Sequence, residues 1–220
     1  MRFDLHVHSC QSRDSSNRVE DVLEVCVKCG LAGVAVMDHN SMKGSLKAQA
    51  MHRQDVLVIP GMEISSAKGH ILAYNIQEEV PRDLDVGETI DLIHAQGGIA
   101  VAAHPYRVWS GLGEGMVRAN PFDAIEVHNG RSTHHHNNLA RKLAEELRCP
   151  FSAGSDSHEL ETVGTTYFET SKDCGSVEEL IKEILTGTGS TGGRHRPKSE
   201  SVGYGVKCIG QWMGRGLKRM

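Results

Sequence analysis

Short apolar runs, each meeting a histidine or a carboxylate, recur along this chain and constrain its fold more than any other feature. Residues 3–7 carry His6 and lead to His8, and 33–37 run into Asp38-His39. Residues 56–60 precede Glu63, and His70 opens 70–75. His104 follows 99–103, Glu126 and His128 close 124–127, and Asp156 and His158 follow 151–153. Helical periodicity fills the gaps at 19–29, 41–53, 88–96, 133–147 and 177–185, with Ser41 a candidate N-cap. Strands alternating with helices of this length predict a parallel sheet, and near-continuous apolar strands predict burial on both faces. A doubly wound open sheet and a closed barrel both satisfy the pattern. In a barrel the strand ends converge on one rim, whereas an open sheet spreads them at ~4.8 Å per strand. Convergence of the polar residues needs closure, so a barrel is expected.

That mixture of side chains suits a metal cluster. Neutral imidazole binds zinc, manganese or iron, and carboxylates bridge cations while offsetting their charge. A lone histidine at a strand end is ordinarily a hydrogen-bonded or surface residue, and Asp38 reads equally well as a structural carboxylate. It is the ordered series that carries the inference, since seven strand ends or starts bear His, Asp or Glu. His134-His135-His136 opens a helix whose core face is Leu139, Leu143 and Leu147, so the triplet is expected to be mostly solvated. Cys26 and Cys29 form a CxxC inside a helical pattern, with no second pair to complete a zinc site, and core packing is their expected role.

Three patterns carry a family resemblance here: Asp4-Leu5-His6-Val7-His8-Ser9, Met37-Asp38-His39-Asn40 and Gly61-Met62-Glu63-Ile64. Two more follow in order, Ala103-His104-Pro105 and Ser155-Asp156-Ser157-His158. Over roughly residues 2–160 the chain resembles the PHP (polymerase and histidinol phosphatase) family. The resemblance implies an α/β fold, a distorted (β/α)7 barrel with two or three divalent cations at its C-terminal mouth. Carried onto this sequence, one cation is held by His6, His8, Glu63 and Asp156, and a second by Asp14, His39 and His158. A third takes His70 and His104, with Glu63 bridging. Mn2+ is expected first, with Zn2+ and Fe2+ as alternatives. In the family's polar stretch after 124–127, here Glu126 to Arg131, Arg131 is the candidate phosphate clamp, since its fork matches phosphate oxygens. Asn129, Arg107 and Lys43 are further substrate candidates.

The expected activity is hydrolysis of a phosphomonoester, by attack of a metal-bridging hydroxide and with His128, or a histidine that binds metal only loosely, protonating the leaving group. A nucleotide is one expected substrate, because a base could stack on Trp109 or Tyr106 in the stretch 106–120, read as a mobile flap. Alternatives are a phosphodiesterase or exonuclease on short RNA or dinucleotides, and a non-catalytic metal-binding accessory module. An amidohydrolase is disfavoured because no lysine stands at a strand end. The 220 residues fit one domain, expected over 1–190, followed by a basic extension over 191–220. A net charge of −4 argues against bulk electrostatic binding of nucleic acid, but the basic end could touch a polyanion or simply be a solvated tail. No apolar run reaches the ~18 residues of a membrane helix, and the start lacks signal-peptide features, so a cytoplasmic location away from membranes is expected.

Overall fold

A computed structural model describes residues 1–197. The order is β1 (Arg2–Val7), α1 (Val19–Lys28), β2 (Gly33–Val36), α2 (Lys43–Ala50), β3 (Leu57–Ile59), β4 (Gly61–Ser65) and β5 (His70–Tyr74). There follow α3 (Val86–Ala95), β6 (Ile99–Ala102), α4 (Gly113–Ala119), β7 (Ala124–Asn129), α5 (His134–Leu147) and β8 (Phe151–Gly154). A 3-10 turn (Leu160–Thr162), β9 (Thr166–Glu169), α6 (Val177–Thr186) and β10 (Ser190–Gly193) complete it. Among the described residues no helix is long and apolar enough to cross a membrane.

The strands form two five-stranded mixed sheets, ordered β10-β9-β1-β2-β3 and β4-β5-β6-β7-β8. This corrects the expectation of one parallel sheet closed into a (β/α)7 barrel, because no continuous ladder joins the two. β5 runs antiparallel to both β4 and β6, and β9 antiparallel to β1. The sheets meet instead at isolated bridges, Val7 with Ser157 and His39 with Glu63. At the first seam β8 passes so close to β1 that a Cβ on Gly154 would lie 2.5 Å from the His6 backbone nitrogen. The fully buried Asp4 spans the same seam. Its Oδ1 accepts from the backbone N–H of Ser155 (2.8 Å) and His6 (3.3 Å), and its Oδ2 from Gly164 (2.8 Å).

A central apolar cluster lies between the sheets, with Phe3, Leu5, Met37, Leu72, Tyr74, Val101 and Phe168 from both. Helices α1 and α2 cover the first sheet through Val22, Leu23, Cys26 and Ala48, so Cys26 packs in the core as expected, whereas Cys29, three residues on at the end of the helix, is exposed. Helices α3 and α5 cover the second sheet through Ile90, Ile93, Ala140 and Leu143. Three local details depart from expectation. Met42, not Ser41, is the N-cap of α2; Ser41 Oγ still accepts the Lys43 N–H at 3.3 Å, and Glu79 accepts from both the Ser41 hydroxyl and the Met42 N–H. Part of the expected flap is helical, as α4. The Gly/Thr/Ser-rich stretch forms β10 on the sheet edge, which carries ordered structure across the division expected at residue 190. Most of the expected basic extension, 198–220, lies outside the described residues.

Candidate metal centre

The polar strand ends converge where the two sheets meet. Glu63, on β4 and 1% exposed, is the hub. Its Oε1 lies 2.8 Å from His70 Nδ1 and 2.9 Å from His104 Nε2. Its Oε2 lies 2.9 Å from His39 Nδ1, 3.4 Å from His8 Nε2 and 3.6 Å from His6 Nε2. Asp156 Oδ1 stands 3.5 Å from both His8 Nε2 and His158 Nδ1. Asp14 Oδ2 reaches His158 Nε2 at 3.1 Å and His39 Nε2 at 3.9 Å. All nine side chains expected as ligands are therefore brought together. Two of them, His104 (φ 26°) and Asp156 (φ 54°), hold left-handed backbone that non-glycine residues rarely adopt. Such strain persists only where the surroundings enforce it.

Alternation aims the first pair of side chains and an irregularity the second. Leu5 faces the central apolar cluster while His6 and His8, two apart, both face the metal centre; the β1–β2 register shifts between Asp4 and Val7. A second shift, in β7 against β8, falls between Glu126 and His128. Glu126 and Asn129 consequently turn inward, and His128 turns out. His128 Nε2 donates to the Arg194 carbonyl at 3.1 Å, and its ring stacks on His195 at 4.2 Å. The residue expected as leaving-group acid is thus not part of the cluster; simple alternation along the strand misplaces it.

Hydrogen bonds fix the tautomers. Glu126 Oε1 takes the Nδ1–H of His6 at 2.8 Å. Ser12 Oγ donates to Asp38 Oδ1 (2.9 Å) and so accepts from His8 Nδ1 (3.1 Å). The two Nε2 atoms then stand 3.1 Å apart, joined either by a proton on His6 or by a cation. Such a contact needs a positive charge between the atoms. The titration behaviour agrees. Burial opposes protonation of His6, but Glu126, Asp156 and Glu63 outweigh it and hold its pKa well above the usual value. Burial, with His158 and His39, holds His8 well below. Against their own burial, Glu63 is kept ionised by His70 and His39, and Asp156 by Arg107 and His6. Burial and Arg107 bring His104 down to about 4, leaving it neutral. Asp14 Oδ1 and His104 Nδ1 are buried without a hydrogen-bond partner. Facing ring nitrogens, orphaned ligand atoms and carboxylates amid imidazoles fit divalent cations. His6, His8 and Glu63 have ligand atoms within one coordination sphere of each other, as do three further triplets: His8, His39, His158; His6, His104, Asp156; and His39, Glu63, His70.

Two arginines flank the cluster. Arg107 Nη2 lies 2.7 Å from both Asp156 Oδ2 and Asn129 Oδ1. Arg131 Nη1 lies against the His158 ring, 2.7 Å from Nδ1, and 3.4 Å from Asp156 Oδ1. Asn129 Nδ2 donates to Glu126 and Asp156. Lys43 is exposed at the start of α2. Sequence reasoning placed Glu126 in the strand-end series but gave it no role; its partner, the His6 Nδ1–H, has no signature in the sequence. Asp38, read as equally structural, accepts from the Ser9 N–H and hydroxyl and from Ser12, and so shapes the loop that follows His8.

Comparison with known proteins agrees with this geometry. Residues 4–148 match the PHP domain, and 134–188 match a PHP-associated region. An uncharacterized protein of Methanocaldococcus jannaschii is 31% identical over 66% of this chain and 89% of its own length. A two-domain protein from Bacteroides vulgatus, described as containing a predicted PHP-like metal-dependent phosphoesterase, superposes with a TM-score of 0.74 at 16% identity. That match covers 88% of this chain and 65% of the Bacteroides protein. A lesion-specific endonuclease from Pyrococcus furiosus gives a TM-score of 0.65 at 17% identity, over 86% of this chain and 57% of the endonuclease. With two thirds of its residues matched and its motif side chains gathered at one site, this chain belongs to the PHP domain family.

Proposed function

We propose that this protein hydrolyses a phosphomonoester at a centre of two or three divalent cations, Mn2+ first among them. The observation that carries the proposal is the facing pair of His6 and His8 Nε2 atoms, 3.1 Å apart beside Glu63 and Asp156. On this reading His6, His8, Glu63 and Asp156 hold one cation, Asp14, His39 and His158 a second, and His70 and His104 a third shared through Glu63. Bound cations supply Lewis-acid stabilisation of phosphate oxygens and a lowered pKa for bound water. The chain's own residues orient and charge the site. Glu126 locks the His6 tautomer, Asn129 and Arg107 fix Asp156, and Arg131 is close enough to turn its fork onto a phosphate.

The test is to replace His8 or Asp156 with Ala, measure bound metal, and assay a panel of phosphorylated metabolites with added Mn2+. Loss of metal and turnover together is expected; full turnover at stoichiometric metal in either variant refutes the assignment. A second reading, cleavage of phosphodiesters in short oligonucleotides, draws support from the strap over 194–197. The Arg196 N–H donates to the Ser132 carbonyl, which brings the strap's backbone beside the residue that follows Arg131. In that case activity should fall steeply with salt.

A further inference from the structure

We propose that Ser12 is a positioning residue shared by two of the cation sites. Its single hydroxyl links the Asp38 carboxylate to the ring of His8 in the first site and to the backbone of His39 in the second. The inference rests on the metal-centre reading and not on which ester, if any, is hydrolysed. Ser12 lies in the loop after β1 and is 2% exposed. Its Oγ donates to Asp38 Oδ1 at 2.9 Å, accepts the His39 N–H at 3.0 Å and stands 3.1 Å from His8 Nδ1. A serine hydroxyl offers one proton and two lone pairs. Its proton goes to Asp38, so the lone pairs are left for the His39 N–H and a proton on His8 Nδ1. Turning the hydroxyl toward His8 instead would leave two oxygens facing each other at 2.9 Å with no proton between them. His8 is therefore held with its Nε2 lone pair directed at the centre, 3.4 Å from Glu63 Oε2 and 3.5 Å from Asp156 Oδ1.

Both ends of this relay are fixed. Asp38 has no exposed surface, and it accepts the Ser9 N–H at 2.7 Å and the Ser9 hydroxyl at 2.6 Å. The first turn of α2 lies so close that a Cβ on Gly44 would collide with Asp38 Oδ2. The Ser12 N–H donates to the Ser9 carbonyl at 3.0 Å, and the Ser12 carbonyl accepts from Ser15 at 3.2 Å. Asp14, on the same turn, carries its Oδ2 to within 3.1 Å of His158 Nε2. Ser9 alone already ties the loop to Asp38 by two hydrogen bonds. What Ser12 adds is contact with the ligands themselves, at the point where the His8 and His39 rings stand 4.5 Å apart. Removing it strips a buried acceptor from one ligand of each site at once.

Loss of the partner behind a metal-binding imidazole lowers metal affinity roughly 10- to 100-fold. The experiment titrates the metal-free full chain with Mn2+ by calorimetry, with free Mn2+ counted by its paramagnetic resonance. Ser12→Ala should weaken both tight sites by about tenfold or more, and Ser12→Thr, which keeps the hydroxyl, should restore them. Asp38→Asn should cost less affinity in the Ser12→Ala background than alone, because Asp38 reaches His8 through that hydroxyl. Urea unfolding of the metal-free variants identifies any that lose the fold. A measurement on the intact protein stands beside them. In the Zn2+-loaded wild type, the His8 Nδ1–H should show a nuclear Overhauser contact to the Ser12 β-protons. Unchanged affinity in Ser12→Ala, weakening of one site alone, no rescue by Ser12→Thr, or absence of that contact overturns the proposal. A wild type that binds no divalent cation refutes the metal-centre reading and this proposal with it. Tight wild-type binding with Ser12→Ala unaffected refutes the proposal alone.

Discussion

Asp4 sets two large effects against each other, and a single substitution measures which wins. Three backbone N–H donors, from Ser155, Gly164 and His6, favour its ionised form. Carboxylates with such partners often titrate below their usual range. Complete burial works the other way and prevails, pushing the pKa from 3.8 up to about 6. A shift of this size is worth about 3 kcal/mol, at ~1.4 kcal/mol per unit. The sign follows from proton binding. Between pH 3.8 and 6 the folded protein holds a proton that the unfolded chain has released, so stability falls as pH rises through that window and is level above it. Asp4→Asn keeps one acceptor oxygen but turns an amide donor toward one of the N–H groups, at a cost of ~1–3 kcal/mol. The variant does not titrate. Its disadvantage should therefore be largest near pH 4 and vanish or reverse by pH 7. Urea unfolding of chelator-treated wild type and variant across this range gives the difference, and contributions from the other carboxylates and histidines cancel in it. A difference that stays flat to within 1 kcal/mol would show that the three donors, not burial, set the state of Asp4.

Glu126→Gln removes the anion that holds His6 Nδ1–H, and Mn2+ affinity by calorimetry should fall roughly 10- to 100-fold; unchanged affinity refutes that positioning role. Chelation should lower the melting temperature and Mn2+ restore it, since ligand at ~1,000 times Kd contributes about 4 kcal/mol; indifference of the melt to metal refutes the centre. The strap over 194–197 should loosen in acid. Burial and His195 bring His128 down to about 4, and burial and His134 lower His195, so the fold favours both rings neutral. As pH falls below ~6.5 the unfolded chain protonates first and stability is lost. His195→Gln should flatten part of that acid limb in thermal melts, and an unaltered limb excludes the pair as its source.

The ligand positions were legible because a strand end is a local property: an apolar run stops and a His or carboxylate follows. What that side chain faces is not local. Alternation assigns Glu126 and His128 to the same face, and only pairing with β8 creates the irregularity that separates them. The mixed sheets escaped for the same reason. β5 reads like its parallel neighbours, and its reversal depends on the short link from β4 between Ser65 and His70. β10 is built of Ser, Thr and Gly, and pairs because β9 offers an edge, not because its residues favour strands. Asp4 opens the first family pattern, but a carboxylate beside an HxH gives no sign in the sequence of zero exposure or of the seam it spans.

Charge balance gives the strongest argument for an anionic substrate on the proposed reading. Glu63, Asp156 and Asp14 are the carboxylates that would meet cations directly, with Glu126 behind His6. Two divalent cations bring four positive charges to those four carboxylates, and Arg107 and Arg131 then stand in excess. A neutral substrate would bring no charge to set against them, and Asp156, which both guanidinium groups meet, is claimed by the cations as well. A phosphate monoester brings up to two negative charges and oxygen geometry matched to an arginine fork. The two contacts to Asp156 divide accordingly. Arg107, at 2.7 Å and shared with Asn129, is bound into the frame, whereas Arg131 meets Asp156 at 3.4 Å and lies 2.7 Å from the His158 ring, a contact it would exchange for a phosphate once His158 holds a cation. Arg107 is therefore expected to set how Asp156 presents itself to metal, and Arg131 how the ester is held.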